Sequence, residues 1–599
     1  MKNPIVLVAL SELQESVPLG VDIQGLSLVV LKQADQISVF EGRCPHQGTL
    51  LSEGWVADGK LVCRTHQWKF DCLTGEKVKD AKVCLKKFTS QMDQGKILVD
   101  QDELFAYKKQ SLHISGDSHK SETQALLHPS KLPGPKGLPV LGNLLQINNN
   151  TIHQQVEAWS KTYGNLFKIY LGGRLFIISA DPEFNLYLLK IRPHSVSRSN
   201  RLHHIMKDFG IVGVFNAEGE QWRRQRQFVM QGLAQKHLRQ FFPTIASVTD
   251  RLRKRWQKSA QKGEVIDIQN DLMRYTVDVT TSLAFGYDMN TLEKEKDVIQ
   301  DHLEKIFPTM NRRLYMPFAY WKYFKFPSDK KTDKALEEIR KYGEGIIRET
   351  RLKIEQNPEL EENPSNFLEA LLVAKDEDGS KFTDDEIYSN VFTMLLAGED
   401  TTANSIAWMA YYLTEYPEIA RKIREEVDQV LGKDLVLEDF NLGKDLSYID
   451  AFALETLRFK PVAPINGTLL LEDIPYKGYL FPKGTTILVA SRPGSQLESH
   501  YPDSLSFKPE RWLDPEFRKQ DRFNIPFGSG PRLCPGRSLA LLEIKVAVAM
   551  MVKNFDLERI PQKEEVKEHL AFTMMPRNLS IKLRERKAME VLNPPSHAD

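Results

Sequence analysis

Up to about residue 106 the chain alternates short β-rich apolar runs with turns, and from residue 132 onward it has the spacing of amphipathic helices. In the first stretch, Leu26-Ser-Leu-Val-Val-Leu31 and Ile37-Ser-Val-Phe40 flank Gln33-Ala-Asp-Gln36 and predict a hairpin. The apolar run of Met1-Lys-Asn-Pro-Ile-Val-Leu-Val-Ala-Leu10 is too short for a signal sequence and no small-residue cleavage site follows it, so it reads as a first strand. A small all-β domain is expected over residues 1–106. Residues 107–131 turn polar around Gly116-Asp-Ser-His-Lys-Ser-Glu122, with no apolar period, and read as a flexible linker. A coil of about 24 residues has an r.m.s. reach of roughly 25 Å and holds its two ends at roughly millimolar effective concentration.

Leu132-Pro-Gly-Pro-Lys-Gly-Leu-Pro139 opens the second domain, expected over 132–588 as mainly α with some β, before a frayed tail at 589–599. Thr383-Asp-Asp-Glu386 is a capping box ahead of Ile387 and predicts a helix that Pro417 stops near Tyr416. About 30 residues span roughly 45 Å, enough to cross a domain. Ala397-Gly398-Glu-Asp400-Thr401-Thr402 interrupts this helix with glycine and polar residues, and a kink is expected there.

The 599 residues are 41% apolar and 27% charged with net charge +1, so no global field favours nucleic acid or anionic lipid. No run approaches eighteen apolar residues, so no stable membrane anchor is expected. Five cysteines are few for this length, which suits a reducing compartment, and a cytoplasmic location is expected.

Two clusters carry chemistry. Cys44-Pro-His46 and Cys63-Arg-Thr-His66 each put one thiol and one imidazole in a short loop. Such a set can hold a [2Fe-2S] cluster with two thiolates on one iron and two imidazoles on the other, or else zinc, although zinc sites favour Cys-x-x-Cys and His-x-x-x-His pairs. Downstream, Phe527-Gly-Ser-Gly530-Pro-Arg532-Leu-Cys534-Pro-Gly536 sets one cysteine behind a glycine turn and before an alanine- and leucine-rich helix. Cys72 and Cys84 read as buried thiols.

The first cluster resembles that of a Rieske ferredoxin, and the second that of a cytochrome P450 of the soluble bacterial type. The resemblance covers nearly the whole chain outside the linker and tail. It implies a Rieske [2Fe-2S] cluster held by Cys44, His46, Cys63 and His66, and haem b with Cys534 as axial thiolate. Thr65 and the surroundings of Gly48 stand where respiratory Rieske proteins carry extra cysteines, so the low-potential ferredoxin branch is implied. Gln67 departs from the glycine common after the second histidine, which puts the turn of that loop in question.

In the haem domain the resemblance places Phe527 beside the ligand and makes Gly530 the turn residue. Arg532 would reach a propionate, and Gly536 would let the next helix approach the porphyrin. Trp222 and Arg226 would hold propionates, while Arg223 and Arg224 are either a docking face or a solvated charge run. Glu455, Arg458 and Arg511 would form a structural network of the haem pocket. Asp400 and Thr401 would relay protons, though a kinked helix with satisfied hydroxyls accounts for the same residues. Pro464-Ile-Asn-Gly-Thr468 lacks the arginine many relatives carry, so one propionate contact is missing there. Arg492-Pro-Gly-Ser-Gln496 replaces the frequent His-Arg-Asp stretch.

The resemblance implies a monooxygenase that hydroxylates or epoxidises an apolar organic substrate with O₂. Electrons would come through the fused cluster from an external NAD(P)H-dependent flavin reductase, since no nucleotide-binding glycine fingerprint follows a strand in this chain. The alternatives are a haem-thiolate isomerase or peroxygenase and a non-catalytic redox or gas sensor. Tyr315-Met-Pro-Phe318-Ala-Tyr-Trp321-Lys-Tyr323-Phe-Lys-Phe326 falls where the family places the roof of its access channel. Arg312, Arg313, Lys322 and Lys325 would allow transient contact with a membrane surface.

Overall fold

Strands Leu26–Gln33 and Gln36–Glu41 pair antiparallel from Leu28↔Glu41 to Gln33↔Gln36, forming the expected hairpin. The structure is a computed structural model. It describes residues 3–23, 26–34, 36–45, 50–64, 67–78, 80–104, 106–107, 126–294, 298–316, 318–375, 379–562 and 564–586. Strands Leu19–Ile23 and Lys87–Phe88 complete a four-stranded sheet around the hairpin. The opening strand, Pro4–Ala9, lies beside Lys96–Asp100 in a three-stranded sheet. A third sheet runs from Trp55–Ala57 to Asp80–Cys84.

Strand Leu26–Gln33 is apolar without alternation because it separates two cores. Leu28 and Val30 pack with Val8, Val39 and Ile97, whereas Val29 and Leu31 pack with Phe40, Cys44, Cys63 and Cys72. Side chains alternate across a strand, so each core takes every second residue. Cys72 is buried as expected, but Cys84 is exposed: its strand ends the third sheet, where one face meets solvent.

Of the expected linker, 108–125 lie outside the described residues. Tyr107 donates its hydroxyl to Glu41 at 2.6 Å. At the other end the Leu127 amide donates to Gly478 and its carbonyl accepts from Leu480, at 2.9 and 3.0 Å.

The second domain combines a five-stranded sheet, in which Arg174–Ser179 and Thr486–Ala490 run parallel, with a large helical core. Six helices position the site: α1 Pro182–Lys190, α2 Gly219–Gly232, α3 Ile268–Phe285, α4 Asp384–Glu415, α5 Ser447–Phe459 and α6 Arg537–Asn554. The capping box of α4 is formed, with Thr383 Oγ1 accepting from the Glu386 amide and Glu386 accepting from the Thr383 amide. α4 is helical without a break through Gly398. A Cβ at that position would lie 2.8 Å from Thr280 Oγ1, so the glycine permits close packing of α4 on α3 and does not break the helix.

Among the described residues no helix is long and apolar enough to cross a membrane. The four basic residues expected near the channel roof divide: Lys322 and Lys325 are exposed, Arg312 is half-buried and Arg313 is buried. Arg313 is 2% exposed and pairs with Asp329 at 3.0 Å, and Arg312 bonds both Asp329 and Tyr320. Tyr320 and Trp321 are buried, while Phe318, Tyr323 and Phe324 are exposed.

Candidate functional site

In the first domain, each ligand loop is closed at its base. Arg43 and Leu50 form an antiparallel bridge beneath the first. Beneath the second, the Cys63 amide donates to Trp68 O at 2.8 Å and the Gln67 amide to Cys63 O at 2.9 Å. Cys44 and Cys63 are 2% and 1% exposed and belong to the same core, which sets the two thiols facing one volume. His46 and His66 lie outside the described residues. Gln67 adopts φ +54°, the left-handed region where glycine is favoured. The turn is therefore kept despite the departure in sequence.

In the second domain, Gly528 and Gly530 take φ +76° and +71° and turn the chain into the loop of Cys534. A Cβ on Gly530 would lie 2.5 Å from Leu189 O and 2.9 Å from Lys190 Cα, so the loop leans directly on the end of α1. The Cys534 amide donates to Phe527 O at 2.9 Å, and Gly536 is the N-cap of α6. Burial pushes the Cys534 thiol up, against the Gly536 amide, Arg226, Arg537 and Arg198, which favour the thiolate. That surrounding of donors and cations suits an axial thiolate.

Four arginines converge beside this loop. Arg226 projects from α2 together with Trp222, one turn apart on the buried face, and Arg532 stacks over Trp222 at 4.5 Å. Arg192 and Arg198, which sequence reasoning did not single out, complete the group. Among the described residues, Nε and Nη2 of Arg192, Nε of Arg198, Nε of Arg226, and Nε and Nη1 of Arg532 are buried with no hydrogen-bond partner. Glu218 is the carboxylate among them, bonded to Arg532 at 2.5 Å. Burial pulls Arg192 down to about 10 and Arg532 to about 9. So many unpartnered cationic donors call for anionic acceptors, and the two propionates of a haem supply them. The residues present fit the group.

On the other side of the expected haem, both oxygens of Asp400 are taken. Oδ1 accepts from Asn404 Nδ2 at 2.8 Å and Oδ2 from Thr573 Oγ1 at 2.5 Å. Asn404 also donates to Thr573 and accepts from Gln269. Burial raises the Asp400 carboxyl above its ordinary value, against these two donors. The Thr401 hydroxyl donates to Ala397 O at 2.7 Å, so Asp400 and Thr401 are each satisfied elsewhere. Behind the site, Glu455 accepts from Arg458 at 2.8 and 2.9 Å, from Arg511 at 3.2 Å and from Trp512 Nε1 at 2.8 Å. These three charged side chains are nearly or fully buried, and they tie α5 to the segment at 508–512.

The two domains meet at α2. The Arg64 guanidinium donates to Met230 O, and Glu53 lies 3.9 Å from Arg226 Nε. A cleft of about 410 Å³ between them is lined by Arg43, Glu53 and Arg64 on one side and Arg223, Arg226 and Pro531 on the other. Arg223 pairs with Glu220, whereas Arg224 is bound to Glu386 at the start of α4 and takes no part in the cleft lining.

A profile of the family described as Cytochrome P450 matches residues 132–583, and one described as Rieske [2Fe-2S] domain matches residues 3–89. Cytochrome P450 3A17 of Cavia porcellus is 27% identical over 445 residues, covering 71% of this chain and 85% of that protein. Protein LUTEIN DEFICIENT 5, chloroplastic, of Arabidopsis thaliana is 27% identical over 477 residues, covering 77% of this chain and 78% of its own length. The crystal structure of a cytochrome P450, CYP102L1, superposes with TM-score 0.67 at 26% identity, over 77% of this chain and all of that one. With a haem-thiolate fold preceded by a cluster-binding domain, the chain belongs to the cytochrome P450 family of monooxygenases and carries a Rieske [2Fe-2S] domain ahead of the P450 domain.

Proposed function

We propose that the protein hydroxylates or epoxidises an apolar organic substrate, drawing electrons through its own Rieske domain from an external NAD(P)H-dependent flavin reductase in the cytoplasm. The observation that carries the electron route is the seating of the cluster loops against α2, the helix that also bears Trp222 and Arg226. When bound, haem with a cysteine thiolate supplies the activation of O₂.

The chain's own residues prepare the site for it. Cys534, presented by Phe527, Gly530 and Gly536, would hold the haem iron as thiolate. Arg192, Arg198, Arg226 and Arg532, with Trp222, would hold the propionates. Glu455, Arg458 and Arg511 hold α5 and the loop before the thiolate in register. Asp400, buried and held by Thr573 and Asn404, would serve the proton path together with the Thr401 hydroxyl one residue further along α4. Cys44, His46, Cys63 and His66 would hold the cluster.

Anaerobic reductive titration of the full-length protein under carbon monoxide tests this reading. Rieske-type electron paramagnetic resonance together with a red-shifted thiolate Soret band is the expected result. Loss of either signal removes the electron-delivery half or the oxygenase half. Steady turnover by the purified chain with NADH or NADPH alone would refute dependence on a separate reductase. A peroxygenase or sensor would show no dependence of product on cluster reduction.

A further inference from the structure

We propose that the Rieske domain rests on α2 in its electron-delivering position, and that Glu53 and Arg64 are the residues that fix it there. The proposal builds on the two-site reading above. Both residues flank the ligand loops. Glu53 follows the bridge that closes the first loop, and Arg64 directly follows Cys63. Arg64 reaches across to a backbone acceptor, Met230 O, whose position any side chain at 230 preserves. Glu53, 18% exposed at its side chain, faces Arg226, 6% exposed. Arg43 and Arg64 act on the same carboxylate, so Glu53 faces three arginines of the cleft and is, among the described residues, the acid of its lining.

An ion pair largely shut off from water adds little net stability, because desolvation offsets attraction, but it penalises any arrangement that leaves one partner alone. Its effect is on orientation. Arg226 also belongs to the propionate clamp, so Glu53 reaches the edge of the haem through a single side chain. A second approach lies at α1. Lys190, at the end of that helix, lies within electrostatic range of Glu41 and Cys44, and the backbone of Leu189 and Lys190 underlies Gly530. The first cluster loop and the thiolate loop thus stand on either side of one helix end. In the step this serves, one electron leaves the reduced cluster and enters ferric haem, leaving oxidised cluster and ferrous haem, with no bond or proton moved. The reductant is dithionite in the test and the flavin reductase in turnover.

The test uses the full-length holoprotein as wild type, Glu53→Gln, Glu53→Lys and Arg64→Gln. Amide hydrogen exchange over 50–54 and 222–232 reads the docking. Stopped-flow reduction under carbon monoxide reads the first-order transfer from cluster to haem. Glu53→Lys sets a fourth cation against the three arginines, so it should raise exchange in both segments and slow transfer more than tenfold. Glu53→Gln and Arg64→Gln should do so to a smaller extent, with cluster resonance and ferrous–carbonyl Soret band unchanged. Unaltered exchange and rate in all three variants would overturn the proposal. So would raised exchange with an unaltered rate, because the seated position would then not be the one that delivers electrons. Absence of either cofactor signal from the wild type would instead overturn the two-site reading.

Discussion

Thr573 Oγ1 donates to Asp400 Oδ2 at 2.5 Å and accepts from Asn404 Nδ2 at 2.9 Å, so the turn between strands Lys567–Leu570 and Met574–Arg577 is bonded to the middle of α4. The neighbouring Phe572 packs against Phe307 at 5.7 Å between ring centroids, so the same turn touches the helix Val298–Tyr315 that leads to the channel roof. Thr573→Val removes the donor to Asp400 and leaves Asn404 without one acceptor, a loss of about 1–3 kcal/mol. We expect product formed per O₂ consumed to fall roughly tenfold, below the roughly 10²–10⁴-fold of losing a positioned proton donor outright, because Asp400 itself remains. Thr573→Ser should restore it. Oxygen-electrode and product assays on the three proteins check this, and equal coupling in Thr573→Val would dissociate the turn from proton delivery.

With haem bound, Arg192 and Arg198 would supply the propionate contact expected to be missing after Pro464. Replacing either by methionine removes a charge-assisted hydrogen bond of about 1.5–3 kcal/mol. Haem transfer to apomyoglobin should accelerate roughly tenfold or more for Arg198→Met and Arg192→Met. An unchanged transfer rate in both variants would take these arginines out of the clamp.

Gln67 holds a left-handed turn between the base of the second ligand loop and Trp68. Glycine there relieves about 1 kcal/mol of backbone strain, part of which its greater freedom in the unfolded chain takes back. Gln67→Gly should therefore keep the cluster with a melting temperature equal to or slightly above that of the wild type. A β-branched residue does not tolerate this conformation. Gln67→Val should lose cluster, read as the visible absorbance per polypeptide.

Glu568 is a hub: it meets His153 at 2.8 Å, Arg492 at 2.6 Å and Lys460 at 2.5 Å. Burial alone would raise its carboxyl, but hydrogen bonds from His153 and Arg492, with the charges of Arg492 and Lys460, hold it far below the usual carboxylate range. A folded-state value below the unfolded one gives stability that is full above the unfolded value, about 4.3, and is lost as pH falls below it. Glu568→Gln should cost about 1–3 kcal/mol at neutral pH, since it removes the charge facing Lys460 and Arg492 while Arg492 keeps its bidentate pairing with Glu157. Calorimetry should show the difference shrinking as pH falls below about 4. A constant difference between pH 7 and pH 3 would remove the carboxylate charge as its cause.

The Rieske and P450 motifs and the capping box of α4 could be read in sequence because short-range spacing encodes them. Trp222 and Arg226 are of the same kind, one turn apart on one face of a helix. Arg192 and Arg198 were not legible: they lie on either side of Pro193 with no period, and only tertiary folding brings them to Arg532. The one available signal was negative, the absent arginine after Pro464, which implied a replacement from elsewhere. Arg313 shows the opposite case: in a basic pair it looks solvated until the fold supplies Asp329 as its buried partner. Thr573 gave no sign at all, because a threonine in a turn is ordinary until Asp400 lies beneath it.

Gly530 rests on the carbonyl of Leu189 with no room for a methyl group. Any side chain there displaces the end of α1, and that end faces the cluster domain. The thiolate loop and the docking surface therefore cannot drift separately. An engineer who grafts this Rieske domain onto another P450, or another ferredoxin onto this one, would have to carry over the segment through Lys190 as part of the graft, because the boundary between the two modules lies inside the haem domain and not at the linker.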